Sequence, residues 1–298
     1  MSRLGKFLKS NFLLYKDVAI ANTNSLFLLK KFPSNSIDCV ITDPPYFIDG
    51  MGNNWNVKDL NNKTKKGKVI SNLPIGMKFD PQQGKDFQHF EESLSKLIFN
   101  CLKPGGFYLS FSQPRLYHRM TVAIEDCGFE IRDMIVWKRN GQAKAFSLEH
   151  FAKDINTDVK EFLKNKKTPQ LRGLHEDIVV AQKPKEGTFI ENFCKYKVGL
   201  INSSYPFPSN LINIEKDRKE KVKHLTTKPI KLIQYLLDVF TDKRNIVLDP
   251  FLGSGTTAIA CRKMNRRCIG IELNELYFNL IKSRVSTYEK ESSFLGIL

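Results

Sequence analysis

Apolar positions along the chain switch between two periods, short β-type runs and longer helical stripes, from residue 36 almost to the C-terminus. Ser36-Ile37-Asp38-Cys39-Val40-Ile41-Thr42 is a β-rich run that must stop at Asp43-Pro44-Pro45, because proline cannot continue a hydrogen-bonded ladder. Phe90, Leu94, Leu97, Ile98 and Cys101 share one helical face, and Lys103-Pro104-Gly105-Gly106 marks the end of that helix. Phe107-Tyr108-Leu109-Ser110-Phe111 reads as the next strand. Pro114 suits a helix start, Leu116, Met120, Ala123, Ile124 and Cys127 form its stripe, and Gly128 closes it. Two more strands are expected from Ile131 to Trp137 and from Glu176 to Gln182.

Thr226-Thr227-Lys228-Pro229 opens an amphipathic helix carrying Ile230, Ile233, Leu236, Leu237 and Phe240. Asn245-Ile246-Val247-Leu248-Asp249 is a buried-type strand, with a glycine-rich turn and a helix to about Met264 behind it. Arg267 to Glu272 is a strand again, and Asn274 caps a last helix through Leu276, Tyr277, Leu280, Ile281 and Val285. This βαβα ending and the alternation before it predict an α/β fold with a doubly wound, mainly parallel, Rossmann-like sheet.

Three stretches break the pattern. Residues 51–85 are polar, Asn/Lys-rich and punctuated by glycine, as in a long functional loop. Residues 138–175 are basic and weakly patterned, and 183–222 is a second basic, Pro/Asn-rich stretch. These stretches also hold the charge. The net charge is +16, and residues 51–85 carry seven Lys/Arg against two acids, residues 138–231 twenty against eleven. The rest of the chain is close to neutral, so the charge is a local footprint for a polyanion rather than an evenly spread solubilising coat.

No run of eighteen apolar residues exists, which excludes a helical membrane span. The apolar Phe12-Leu13-Leu14 is interrupted by Lys9 and Lys16 and lacks a following cleavage site, so a cytoplasmic location is expected. Six cysteines at 39, 101, 127, 194, 261 and 268 form no C-x-x-C pair, and the histidines at 89, 118, 150, 175 and 224 are dispersed. Neither a metal site nor a disulfide framework is expected.

Two motifs carry chemistry. The first is Gly253-x-Gly255-x-x-Ala258, between a strand and a helix, with Glu272 ending the next strand where an acid can accept from ribose hydroxyls. No Gly-Lys-Ser/Thr follows, so this is not a P-loop, and too little chain follows Glu272 to complete a dinucleotide fold. The sheet must therefore be completed by strands that come earlier, a permuted arrangement with the cofactor half last. The second motif, Asp43-Pro44-Pro45-Tyr46, lies just past a strand end, where open α/β sheets place their active sites. The prolines stiffen the turn, the Asp43 carboxylate and Pro44 carbonyl make an acceptor pair suited to one amino group, and Tyr46 offers a ring for stacking.

Thr42-Asp43-Pro44-Pro45-Tyr46, His224-Leu225-Thr226-Thr227-Lys228-Pro229, Asp249-Pro250-Phe251-Leu252-Gly253-Ser254-Gly255-Thr256-Thr257 and Gly270-Ile271-Glu272 together resemble the amino-methylating DNA methyltransferases of the permuted β group. Leu225 stands where that family usually has proline, and Asn24 where it has an acidic residue near the first strand. The resemblance implies methyl transfer from S-adenosylmethionine to adenine N6 in flipped-out double-stranded DNA, with Asp43, Pro44, Pro45 and Tyr46 as the catalytic residues. Asp43, Lys228, Pro229, Asp249, Pro250, Phe251, Gly253, Ser254, Gly255, Thr256, Glu272 and Asn274 would surround the cofactor, with a plain helix cap as the other reading of Lys228 and Pro229. Residues 1–137 would form the catalytic half, 223–298 the cofactor half, and 138–222 basic insertions that include the target-recognition region. Arg139, Asn140, Gln142 and Arg172 are base-reading types there, and Trp55 is either a wedge into the base stack or an anchor of its loop. Cytosine-N4 methylation is the alternative reaction, since cytosine-specific members tend to carry Ser at the position of Asp43. A catalytically inactive DNA-binding protein of the same fold is the alternative of another class. A homodimer and a companion restriction endonuclease stay open as partners.

Overall fold

The structure, a computed structural model, describes residues 3–46, 81–139, 147, 157–169, 171–203, 207–215 and 227–295. Among them the strands are β1 (Leu13–Leu14), β2 (Val18–Asn22), β3 (Ile37–Thr42), β4 (Leu102–Ser112), β5 (Glu130–Lys138), β6 (His175–Gln182), β7 (Leu211–Asn213), β8 (Ile246–Asp249) and β9 (Arg267–Glu272). They make one sheet in the order β1-β2-β9-β8-β3-β4-β6-β5-β7. The pairs β2/β9, β9/β8, β8/β3, β3/β4 and β5/β7 are parallel, and β1/β2, β4/β6 and β6/β5 are antiparallel. The expected mainly parallel α/β sheet is therefore what forms.

The helices are α1 (Arg3–Asn11), α2 (Ser25–Leu29), α3 (Pro81–Cys101), α4 (Tyr117–Asp126), α5 (Thr157–Leu163), α6 (Phe189–Tyr196), α7 (Ile230–Phe240), α8 (Thr256–Lys263) and α9 (Glu275–Leu295). Strand alternation splits the core in two. Cys39, Ile41, Leu109, Phe111 and Val247 face Leu232, Ile233 and Leu236 of α7 and Ile259 of α8. Val40, Tyr108 and Leu248 face Leu94 and Ile98 of α3 and Met120 and Ile124 of α4. Every residue of β3 is buried, as a central strand covered on both faces must be. Its start is pinned by Asp38, whose carboxylate accepts from Lys103 Nζ at 2.5 Å and from the Ile246 amide at 2.6 Å.

The chain leaves β3 toward β4 through α3 on one face, and leaves β8 toward β9 through α8 on the other. The β3/β8 boundary is thus the topological switch point, where the strand ends diverge and open a crevice. Both motifs stand on its two sides.

Several elements differ from expectation. The helix after the polar loop begins at Pro81, so the last part of 51–85 is helical; proline fits a first helical position because its missing N–H would have no partner there. Residues 51–80, with Trp55, lie outside the described residues. Strand β4 takes over directly after Cys101, because Leu102 already pairs with Ile37, so Lys103 to Gly106 are strand and not a turn. Helix α4 starts at Tyr117 rather than Pro114; the Leu116 and Tyr117 amides both donate to the Gln113 carbonyl, at 2.9 and 3.0 Å, and wind residues 114–116 into a turn. Within the basic stretches lie α5, α6 and β7, α6 being started by a capping box in which Thr188 and Glu191 exchange hydrogen bonds. Among the described residues no helix is long and apolar enough to cross a membrane.

Candidate active site

Asp43 follows β3 directly, and the diproline turn carries it past the sheet edge. Tyr46 folds back so that its hydroxyl donates to Asp43 Oδ1, while Lys228, just before α7, binds Oδ2. Pro44 is buried; Asp43, Pro45 and Tyr46 are half-buried. Burial and the neighbouring Asp43 carboxylate push the Tyr46 hydroxyl well above the ordinary tyrosine range, so it stays protonated as a donor. Lys228 sits 4.9 Å above the Phe111 ring and reaches a second carboxylate, Glu176 Oε2 on β6, at 3.4 Å. Glu176 also pairs with Arg139.

Across the switch point, the turn after β8 is tied together from inside. The buried Asp249 carboxylate accepts from the Phe251 amide at 3.1 Å, Thr42 Oγ1 at 3.0 Å and Thr257 Oγ1 at 2.7 Å. Burial raises its carboxyl to about 6, against the pull of those three donors. The Thr42 contact ties the residue before Asp43 to the glycine turn. Gly255 holds φ +83, a left-handed conformation that side chains resist, and its neighbour Thr256 begins α8. Gly270 on β9 matters by space: a Cβ there would lie 2.2 Å from Leu252 Cδ2 and push the buried Leu252 side chain from its place in the turn.

Glu272, at the end of β9, accepts from the Gly253 amide at 2.8 Å and the Asn274 amide at 2.7 Å. Desolvation raises its carboxyl to about 7, against the pull of those backbone donors. Asn274 caps α9, its side chain accepting from the Leu276 amide at 2.9 Å and the Tyr277 amide at 3.3 Å. Ser254 and Thr256 are buried with their hydroxyls 3.2 Å apart, and Arg284 donates to the Ser254 carbonyl. Phe251 is half-buried, its ring centre 5.9 Å from that of Phe90. Pro229 occupies the N-cap position of α7 without a side-chain bond.

The structure therefore brings the Asp-Pro-Pro-Tyr turn, Lys228, Pro229, the glycine turn, Glu272 and Asn274 to one end of the sheet. Of the base-reading types, Arg139 lies beside Glu176 and Arg172 is described, while Asn140 and Gln142 lie outside the described residues, as do His224, Leu225 and Thr226. Asn24 points elsewhere: its side chain caps α2, accepting from the Phe27 amide at 3.2 Å. Asn22 takes the place beside the site, donating to the Glu272 and Leu273 carbonyls at 2.8 and 3.1 Å. Sequence reasoning missed Glu176, Phe111 and the Thr42–Asp249–Thr257 tie. Among the described residues no group of acidic, histidine and cysteine side chains could hold a metal ion.

A mixed sheet whose switch point joins an Asp-Pro-Pro-Tyr turn to a glycine turn defines a Rossmann-like methyltransferase. The chain belongs to the N6/N4 DNA methylase family, whose model matches residues 37–283, and it is a DNA methyltransferase. Among its relatives is the type II methyltransferase M.HindIII of Haemophilus influenzae, 30% identical over 92% of this chain and 97% of that one. M.HpaI of Haemophilus parainfluenzae, also a type II methyltransferase, is 26% identical over 91% of this chain and 75% of its own length. The fold is shared with M1.HpyAVI solved in complex with SAM (TM-score 0.56, 21% identity, 90% of this chain and 99% of that one). It is shared equally with the cytosine-N4-specific PvuII DNA methyltransferase (TM-score 0.58, 17% identity, 89% and 84%).

Proposed function

We propose that this chain transfers the methyl group of S-adenosylmethionine to N6 of adenine in double-stranded DNA. The observation that carries the reading is the placement of Asp43 at the switch point, one residue from the Thr42–Asp249 bond that ties it to the glycine turn. The solved neighbours and the type II relatives support the class, but the fold is shared with a cytosine-N4 enzyme, so it does not choose the base. Asp43 in place of serine favours adenine. The motif order, Asp-Pro-Pro-Tyr before the glycine turn, supports the permuted arrangement, with 1–137 as catalytic half, 223–298 as cofactor half and target recognition within 138–222.

The residues fit S-adenosylmethionine: a partly buried carboxylate ends β9, a half-buried phenylalanine stands nearby, and glycines bring the turn close. Glu272 would accept from the ribose hydroxyls, with Phe251, Gly253 and Pro250 along the pocket wall. Lys228 and Pro229 would flank it. Asp249, Ser254, Gly255, Thr256 and Asn274 would line the same pocket while their bonds within the protein fix the turn and the α9 start. When bound, the cofactor supplies an electrophilic methyl on sulfur.

The exocyclic nitrogen of adenine is a weak nucleophile because its lone pair is delocalised into the ring. Asp43 and the Pro44 carbonyl accept its two hydrogens, favour a pyramidal nitrogen and aim the lone pair at the methyl. Positioning of this kind contributes up to roughly 7–11 kcal/mol. Tyr46 stacks the extruded base and offsets part of the flipping cost of roughly a few kcal/mol. The basic segments hold phosphates in the cytoplasm, and type II relatives support a companion restriction endonuclease of the same target sequence.

The test is methylation-sensitive sequencing of DNA from cells expressing the chain: N6-methyladenine in one sequence context is expected, and N4-methylcytosine would overturn the base assignment. Asp43→Ala should abolish transfer and leave cofactor binding largely intact. Full activity in that variant would remove Asp43 from the mechanism and favour an accessory, DNA-binding role for this site.

A further inference from the structure

Both oxygens of Asp43 are occupied, one by the Tyr46 hydroxyl and one by the Lys228 ammonium. Each carboxylate oxygen keeps a second lone pair, so an amine can still approach, but an oxygen bound to an ammonium is a weaker acceptor than one that is not. Tyr46 is fixed three residues away on the same turn. Lys228 approaches from the far side of the crevice on another segment, its side chain only 11% exposed, so it cannot retreat into water. A buried ammonium that lost its counter-ion would be left with its desolvation uncompensated.

A second anion stands ready. Glu176 Oε2 is 3.4 Å from Lys228 Nζ, is buried, and accepts no hydrogen bond. Glu176 Oε1 is held by Arg139, which fixes the carboxylate in place and leaves Oε2 facing Lys228. The Phe111 ring under the ammonium, at 4.9 Å, gives it a favourable surface at either anion. The four charged groups Asp43, Lys228, Glu176 and Arg139 thus form a neutral chain in which the lysine has two alternative acceptors.

We propose that Glu176 is a positioning residue: it takes Lys228 from Asp43 when the target amine arrives, and so restores that Asp43 oxygen as a strong acceptor for the amine. This rests on the reading of Asp43 as acceptor of the target amine. No proton changes hands and no bond is made; one ammonium exchanges one carboxylate partner for another. Glu176→Gln removes the alternative anion, so Lys228 stays on Asp43.

The experiment measures single-turnover transfer of labelled methyl to unmethylated phage DNA, with enzyme in excess and sampling over hours, alongside calorimetric binding of S-adenosylmethionine. For Glu176→Gln the rate constant is expected to fall about tenfold or more, with cofactor affinity within twofold of wild type. Glu176→Asp, which keeps the charge, should recover part of the rate. In a Lys228→Met background, adding Glu176→Gln should change the rate by less than twofold, because no ammonium is left to move. A wild-type rate in Glu176→Gln overturns the proposal. So does a loss that persists undiminished in the Lys228→Met background, which would assign Glu176 to Arg139 alone, or a parallel loss of cofactor affinity, which would make it structural. If wild-type protein transfers no methyl to DNA, the reading of Asp43 fails first and separately.

Discussion

The Glu272 carboxyl, held at about 7 by burial, turns cofactor affinity into a function of pH. Hydrogen bonds from ribose hydroxyls require the ionised form, so binding selects the carboxylate and releases a proton. With a carboxyl near 7, about one tenth of the population is ionised at pH 6 and about nine tenths at pH 8, so affinity should rise roughly tenfold between them, or about 1.4 kcal/mol. The sign is fixed: affinity grows with pH up to about 8 and then levels. Titration calorimetry of S-adenosylmethionine at pH 6 and 8, in buffers of different ionisation enthalpy, reads both the affinity and the protons released. The cofactor's own amino group titrates near 8, as α-amino groups do, so the comparison that decides is with Glu272→Gln. That variant should bind more weakly at pH 8 and lose the slope between 6 and 8. Equal affinity at the two pH values in wild type, or an unchanged slope in Glu272→Gln, would refute the assignment of Glu272 to the ribose.

Three further outcomes are expected. Glu91, fully buried on α3 beside the Tyr108 hydroxyl, is raised to about 8 by desolvation, against the pull of that hydroxyl. Between about 4.5 and 8 the folded chain keeps a proton that the unfolded chain has lost, so stability falls as pH rises; Glu91→Gln should gain on the order of 3–5 kcal/mol relative to wild type at pH 9 over pH 4, and parallel denaturation curves at both pH values would contradict this. Gly255→Ala, at φ +83 with Ile281 Cγ1 3.2 Å from the added Cβ, should cost roughly 1–2 kcal/mol in urea unfolding and weaken cofactor binding; an unchanged midpoint would mean the turn relaxes freely. Neutralising Lys63, Lys65, Lys66 and Lys68 should weaken DNA binding and flatten log K against log salt by up to about 4, and an unchanged slope would mean this segment does not meet the backbone.

Local pattern carried most of the fold. The buried runs at β3, β8 and β9, the stripe of α7 and the Asn274 cap are each written within a few residues, so period and cap chemistry were enough to place them. What escaped depended on partners distant in sequence. Leu102 is a strand residue because Ile37 lies beside it, and nothing in Lys103-Pro104-Gly105-Gly106 says so. Glu176 reads as one polar residue opening a strand; only the approach of Lys228 and Arg139 makes it part of the site. Thr42 reads as the last residue of a strand until Asp249 arrives. Helix α6, by contrast, had a local signal in Thr188-x-x-Glu191 that the surrounding basic residues obscured.

The Thr42–Asp249 bond spans 207 residues, and β3 lies between β4 and β8 in the sheet. On a ribosome, β3 and its Asp-Pro-Pro-Tyr turn emerge first, followed by β4, while the other edge of β3 waits for β8. At about 5–20 residues per second that wait lasts roughly 10–40 s. During it, a strand whose every residue is destined for the interior presents an open edge, and the catalytic turn has no glycine turn to face. A nascent chain therefore carries the acceptor for the amine long before it carries the place for the methyl donor, and becomes competent only as its last strands lock in.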